Sequence, residues 1–144
     1  MELILDFLDY AEDRPQSGFS SGGELHFALG NAYFPGEHWY DCVYQNLITW
    51  LPGLISFGSN HTDSCELSFM DGPYTARLSR LPDGSITVFC FYDHRLVTEK
   101  KISFVDFLRS VTACLRKYDR FLFEHGKETR FSKEIKQLKN LLDT

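Results

Sequence analysis

The stretch SCELSFMDGPYTARLSRLPDGSITVFCFYDHRLVTEKKI, residues 64–102, decides the fold of this chain. Apolar and polar residues alternate along most of it with the period of two that indicates β-strands. Three turn signals interrupt the alternation: Asp71-Gly72, Pro82-Asp83-Gly84 and Asp93-His94. Residues 86–92 are apolar on both faces, which is typical of a central strand covered on both sides. We therefore predict an antiparallel meander over residues 64–102.

The segment after this meander predicts two helices. Ser103 is placed as an N-cap with Asp106 three residues later, close to a capping box, and Gly126 ends the first helix. A second helix is predicted from about Ser132. The apolar line of the first helix consists of Phe104, Phe107, Leu108, Val111, Leu115, Tyr118 and Leu122, and that of the second consists of Phe131, Ile135, Leu138 and Leu142.

The segment before the meander predicts strands and one helix. Residues 2–10 fit a strand or a short helix, and we favour a strand. Residues 12–23 are a loop by their Pro, Gly and Ser content, and residues 24–29 alternate as a half-buried strand. Helical spacing runs from about residue 38 to 51, with Asp41 in the first turn. Pro52 is expected to kink or end this helix.

These elements predict a single α+β domain over residues 1–144. The sheet is antiparallel with about five or six strands, one helix is inserted after the second strand, and two C-terminal helices pack on the sheet. The chain is 43% hydrophobic and 15% aromatic, which excludes disorder as its overall state. No apolar run approaches roughly 18 residues, so we predict no membrane span. The acidic N-terminus does not resemble a signal peptide, and we expect a soluble, cytoplasmic protein.

Catalytic and metal-binding motifs are incomplete in this sequence. The histidines never occur as H-x-x-x-H or H-E-x-x-H, and the glycine motifs that hold phosphate are missing. Cys90 with His94 is a possible nucleophile pair, but its apolar strand should make the thiol inert. The run His61-Thr62-Asp63 reads more simply as an exposed turn than as a metal site. We predict no enzymatic activity, no cofactor and no metal.

The cysteines are widely spaced and predict neither a zinc site nor a disulfide framework. Structural zinc ligands come in close pairs, and no C-x-x-C occurs here. Without a secretion signal, reduced thiols are expected. We predict that the four cysteines, Cys42, Cys65, Cys90 and Cys114, are small and mostly buried side chains.

Charge is distributed unevenly along the chain. Residues 1–94 contain 13 acids and 3 bases, whereas residues 95–144 contain 12 bases and 7 acids. The basic residues include a stripe on the first C-terminal helix and a continuing tail: Arg109, Arg116, Arg120, Lys127, Arg130, Lys133, Lys136 and Lys139. The chain as a whole is acidic, with a pI of about 5.5, and this argues against a nucleic-acid partner.

A recognisable pattern combines three segments: residues 34–41 (FPGEHWYD), the helix reaching to Trp50, and residues 69–74 (FMDGPY). It resembles small bacterial immunity proteins of polymorphic-toxin systems, in detail over about residues 34–80 and in element order thereafter. The resemblance implies a cytoplasmic α+β protein that neutralises a toxin by binding it, with no catalytic residues. The matching positions are Trp39, Asp41, Asp71, Gly72 and Pro73. Each also has a structural interpretation, as a core residue, a helix-start acid or a turn.

The sequence thus favours a non-enzymatic protein-binding module, an immunity protein whose partner is a basic toxin domain. The alternatives are a small intracellular enzyme or ligand-binding domain with a site assembled from residues distant in sequence, and a subunit of a larger assembly. The acidic part of the chain is expected to carry the partner surface. Its candidate contact residues are loop acids, because loops are exposed: Glu12, Asp13, Glu37, Asp63, Asp83 and Asp93. The opposite arrangement, basic helices facing an acidic partner, remains open.

Overall fold

A computed structural model describes residues 1–6 and 22–143. This part of the chain contains eight strands and three helices. In chain order they are β1 Glu2–Asp6, β2 Gly22–Ala28, β3 Tyr33–Phe34, β4 Tyr40–Cys42, α1 Val43–Gly58, β5 Ser64–Ser68, β6 Tyr74–Arg80, β7 Ile86–Tyr92, β8 Arg95–Ile102, α2 Phe104–Glu124 and α3 Ser132–Leu142. Most of the predicted loop at 12–23 lies outside the described residues. No described helix combines the length and the apolar composition needed to cross a bilayer.

The α+β class is confirmed, with the strands divided between two antiparallel sheets of four. The second sheet, β5-β6-β7-β8, is the predicted meander. In the first sheet, β1 pairs with one edge of β2, while β3 and β4 pair with different parts of its other edge. Sequence alternation does not reveal β3 and β4 because two or three residues are too few to show a period.

The predicted turns of the meander are confirmed by backbone geometry. Gly72 and Gly84 have φ of 84° and 85°, and Asp93 and His94 have φ of 49° and 65°. Two consecutive residues with positive φ suit a two-residue hairpin, because the turn then matches the twist of its strands. A register shift opposite Cys90 and Phe91 adds a β-bulge to β8.

Helix α1 begins and ends later than the sequence predicts. Asp41 lies on β4 and not in the first helical turn, so its predicted role at the helix start is wrong. Pro52 lies inside α1 and does not end it. Buried side chains continue beyond the proline at Leu54 and Phe57, and their packing stabilises the last turns despite the missing N–H.

Helix α2 covers the free edge of the first sheet. Leu3 N donates a hydrogen bond to Ser110 Oγ at 3.0 Å, and Cys114 Sγ donates to Leu3 O at 3.2 Å. Lys117 Nζ donates to Leu5 O at 2.6 Å. Edge strands leave backbone groups unpaired, and these three side chains satisfy such groups on β1.

Both predicted ends of α2 are confirmed. Asp106 N donates to Ser103 Oγ at 3.3 Å, and Gly126 follows the helix with φ of 70°. The predicted basic stripe of Arg109, Arg116 and Arg120 is exposed.

The core joins both sheets to the helices around Phe27. Its fully buried ring lies 5.5 Å from that of Trp50, 5.4 Å from Phe69 and 5.8 Å from Phe107, measured between ring centroids. These contacts connect β2 to α1, to the end of β5 and to α2. Phe27 is therefore a packing centre of the whole molecule.

The cysteines are all free. The predicted burial is confirmed for Cys65, Cys90 and Cys114, whereas Cys42 is exposed. Burial raises the pKa of each buried thiol to about 12, so these thiols are protonated and unreactive near neutral pH. Cys90 is therefore unsuited to act as a nucleophile with His94.

Candidate functional site

A buried carboxylate ties β4 to the turn between β5 and β6. Asp41 Oδ2 accepts hydrogen bonds from Trp39 Nε1 at 2.9 Å and from Asp71 N at 3.1 Å. Its other oxygen accepts from Cys42 N at 2.6 Å. Gly72 lies against the Trp39 ring, 3.9 Å from where a Cβ would be. Four of the residues that carry the family resemblance, Trp39, Asp41, Asp71 and Gly72, thus form one cluster.

Helix α1 holds the same turn from its other side. Met70 N donates to Asn46 Oδ1 at 2.9 Å, and Trp50 Nε1 donates to Ser68 O at 2.7 Å. Asn46 and Trp50 are both buried. The turn is therefore fixed relative to the helix by buried side chains, which gives a rigid base to the residues beside it.

An aromatic row crosses this end of the molecule. The Tyr74 ring lies 5.0 Å from the Trp39 ring and 5.0 Å from the Tyr92 ring. Trp39 and Tyr74 are half-buried, whereas Tyr92 is 47% exposed and Met70 in the adjoining turn is 49% exposed. The three aromatic side chains of this surface are large and have few rotatable bonds.

Carboxylates border the row. Glu37 lies two residues before Trp39, and Asp71 and Asp93 lie in the two turns beside it, all exposed. Asp93 N donates to Pro73 O at 2.8 Å, which places these turns side by side. Arg95, paired with Tyr92 across the strands, is an opposing charge. We call the surface formed by Trp39, Met70, Tyr74, Tyr92, Glu37, Asp71 and Asp93 the aromatic end.

The predicted contact acids are divided between two ends of the second sheet. Glu37 and Asp93 lie at the aromatic end. Asp63 precedes β5 and Asp83 lies in the turn between β6 and β7, and both therefore lie at the opposite end of the antiparallel sheet. Two further candidates, Glu12 and Asp13, lie outside the described residues.

Asp83 has a structural role in its turn. Its Oδ1 accepts hydrogen bonds from Ser85 N at 2.9 Å and from Ser85 Oγ at 2.6 Å. These bonds favour the charged form and hold the pKa of Asp83 below its usual range. An exposed carboxylate already engaged by its own turn offers less to a partner.

Sequence reasoning did not identify Met70, Tyr74 and Tyr92 as contact residues. The alternation assigns the tyrosines to strands, and Met70 belongs to a hairpin motif. The available signal was the position of these large apolar side chains in or next to the turns at 71–72 and 93–94. Met70 and Tyr92 are large and yet about half exposed, and a contiguous patch of such side chains marks an interaction surface.

Two histidines lie next to one another beside the aromatic end. His38 Nδ1 lies 3.2 Å from Glu24 Oε2, and its Nε2 lies 3.6 Å from Glu37 Oε1. The hydrogen bond to Glu24 raises the pKa of His38 above its usual value. The His26 ring lies 6.5 Å from the His38 ring and is buried, and burial lowers the pKa of His26.

We expect His38 to titrate above, and His26 below, the usual histidine pKa of about 6.5. NMR titration of the ring protons measures both. Replacing the Glu24 carboxylate in Glu24→Gln should lower the pKa of His38, while Glu66→Gln on the second sheet should leave it unchanged. The stability that the Glu24 bond contributes is complete below the unfolded-state pKa and is lost as the pH rises through the higher folded-state value. A His38 pKa below that of His26 would contradict the assignment.

Residues 1–6 and 22–143 contain no cluster of side chains suited to binding a metal ion. No group of three or more His, Cys, Asp or Glu side chains in these ranges is placed to hold a metal ion. His61 and Asp63 are exposed near the start of β5.

Comparisons with protein-family models, with curated proteins and with solved structures find no match to this chain.

Proposed function

We propose that this protein is a non-enzymatic binding module, an immunity protein that neutralises a bacterial toxin domain by covering it with the aromatic end. The row of Trp39, Tyr74 and Tyr92, in which Trp39 and Tyr74 are half-buried and Tyr92 is exposed, is bordered by carboxylates, and this is the observation that carries the proposal. Tyrosine, tryptophan and methionine are enriched at the centres of protein interfaces, and charged groups form the rim.

The charge of the aromatic end favours a basic partner. Glu37, Asp71 and Asp93 are exposed carboxylates there, opposed by Arg95 and, next to Glu37, by the His38 ring. Complementary charge accelerates association, which benefits an inhibitor that must capture a toxin before it acts. A toxin that cleaves nucleic acid needs a basic surface for phosphate, and an acidic inhibitor fits the same surface.

The positions that carry the family resemblance support the aromatic end, but they supply only two of its residues, Trp39 and Asp71. Asp41 is buried, and Asp71 contributes its backbone N–H to the Asp41 cluster while its side chain is exposed. This arrangement fixes Trp39 and the turn and leaves Tyr92 and Met70 free to contact a partner. Residues that carry the resemblance thus hold the aromatic end in place.

Tyr92→Ala is expected to weaken binding of the proposed toxin domain by about 5- to 30-fold, since an interface tyrosine of this kind is worth about 1–2 kcal/mol. Biolayer interferometry with the purified domain measures this. Phe123→Ala is the matched control, because Phe123 is 73% exposed on α2 and lies outside the aromatic end.

The wild-type protein should also protect cells that express the toxin domain. Absence of binding and of protection would overturn the proposed function. Equal weakening by Tyr92→Ala and Phe123→Ala would overturn the assignment of the surface.

A further inference from the structure

The outer side of α2 presents a line of residues that the proposed function does not use. They follow one another at intervals of three or four residues, and all of them are exposed. In chain order they are Val105, Arg109, Ala113, Arg116, Arg120 and Phe123. Residues at such intervals lie on one face of a helix, and at roughly 1.5 Å per residue this line is about 27 Å long. We call these residues the α2 face, and none of them belongs to the aromatic end.

Both ends of the α2 face are apolar, which a face built only for solvation does not need. The Phe123 side chain is 73% exposed, and Val105 is 47% exposed. Single exposed apolar residues are common on protein surfaces, but these two lie in line with the arginines of the same helix. Apolar surface aligned with charge in this way is typical of a docking surface.

The arginines at the centre of the α2 face are not neutralised by the chain itself. Arg109 lies 3.5 Å from the exposed carboxylate of Asp106, an ion pair that solvent weakens. Arg116 and Arg120 form no ion pair with any residue in the ranges 1–6 and 22–143. The centre of the face therefore carries positive charge that carboxylates of a partner would complement.

The spacing of the α2 face favours a helix as that partner. Intervals of three and four residues form the line along which two helices pack at about 20° to each other. Ala113, near the middle of the line, has a small side chain, so the backbone of a second helix can approach there. A helix with acidic residues at its centre and apolar residues near its ends matches both the geometry and the charge.

Two other occupants fit the α2 face less well. A second copy of this chain offers no acidic helix, because α1 contains no acidic residue and α3 contains Glu134 alone, while a second α2 would set arginine against arginine. A nucleic acid is disfavoured, because its dense phosphates also meet the net charge of −5 of the whole chain. A short acidic helix responds mainly to the local charge.

We propose that the α2 face docks an acidic amphipathic helix of a second protein. Its carboxylates contact Arg116 and Arg120 at the centre of the face. Its apolar side chains contact Val105 and Phe123 at the two ends. The proposal does not rest on the proposed function, because the toxin domain is expected to be basic and to contact the aromatic end.

The probe is a synthetic helical peptide of about 21 residues, with glutamates at intervals of three and four residues and a leucine near each end. Fluorescence anisotropy with the full-length protein at physiological salt measures its binding. The peptide should bind about fivefold or more tightly than a peptide of the same composition in scrambled order, because only the first aligns its carboxylates with the arginines.

Arg116→Ala and Arg120→Ala should each weaken binding of the acidic peptide about fivefold. Reversing both charges, in Arg116→Glu/Arg120→Glu, should transfer binding to a peptide that has lysine in place of each glutamate. Phe123→Ala should also weaken binding of the acidic peptide. Lys133→Ala and Lys136→Ala are matched controls that remove exposed cations from α3, and they should leave it unchanged.

The substituted side chains are exposed, so each variant should fold, and thermal unfolding verifies this. An acidic peptide that binds no more tightly than its scrambled counterpart would overturn the proposal. So would binding that the α3 controls weaken as much as the arginine variants do. Tighter binding of a single-stranded DNA of about 20 nucleotides than of the acidic peptide would show a surface for phosphates and not for a helix.

Discussion

Phe27→Ala is expected to lower the free energy of unfolding by about 3–5 kcal/mol. The Phe27 ring is fully buried and lies within 5.8 Å of the rings of Trp50, Phe69 and Phe107. Those rings belong to different elements, so no single one of them can move to fill the space. The loss therefore combines the lost transfer free energy of the deleted phenyl ring with a cavity that stays open.

Urea unfolding followed by circular dichroism measures this change. Phe123→Ala is the matched control, because the same atoms are removed from a ring that is 73% exposed. It should change stability by no more than about 0.5 kcal/mol. If Phe27→Ala does not fold, Phe27→Leu should still fold and cost roughly 1–3 kcal/mol. A loss below about 1 kcal/mol in Phe27→Ala would contradict the packing described here.

The meander was predictable because its signals are local. Each turn carries its own residues, such as Asp71-Gly72 and Asp93-His94, and each strand carries its own alternation. The division into two sheets was not predictable in this way. It depends on β3 and β4 pairing with β2, and these strands are too short to show a pattern. Pro52 is a similar case, because burial of Leu54 and Phe57 overrides a local preference.

The candidate site was predictable only in its charges. Glu37 and Asp93 were predictable as contact residues because they are acids in predicted loops, and both border the aromatic end. The row itself consists of Trp39, which precedes β4, Tyr74 on β6 and Tyr92 on β7. The predicted turn at 82–84 places Tyr74 opposite Tyr92. No local pattern indicates that Trp39 joins them, since its position depends on contacts between distant segments.

Asp41→Ala is expected to lower the free energy of unfolding by about 2–4 kcal/mol, because it leaves several donors without an acceptor. Trp39 Nε1, Cys42 N and Asp71 N all donate to the Asp41 carboxylate. Asp41→Asn keeps one carbonyl oxygen and should lose less. Urea unfolding measures the stabilities, and the change in tryptophan fluorescence reports whether Trp39 has moved.

Asp71→Ala should change stability by no more than about 0.5 kcal/mol, because its side chain is exposed and only its backbone N–H enters the Asp41 cluster. Under the proposed function it should instead slow association with the basic toxin domain, and salt should reduce the difference. The two aspartates thus separate a residue that builds the aromatic end from one that offers charge on it. If Asp71→Ala destabilised the protein as much as Asp41→Ala, the Asp71 carboxylate would have a structural role. The aromatic end would then have one carboxylate fewer to offer a partner.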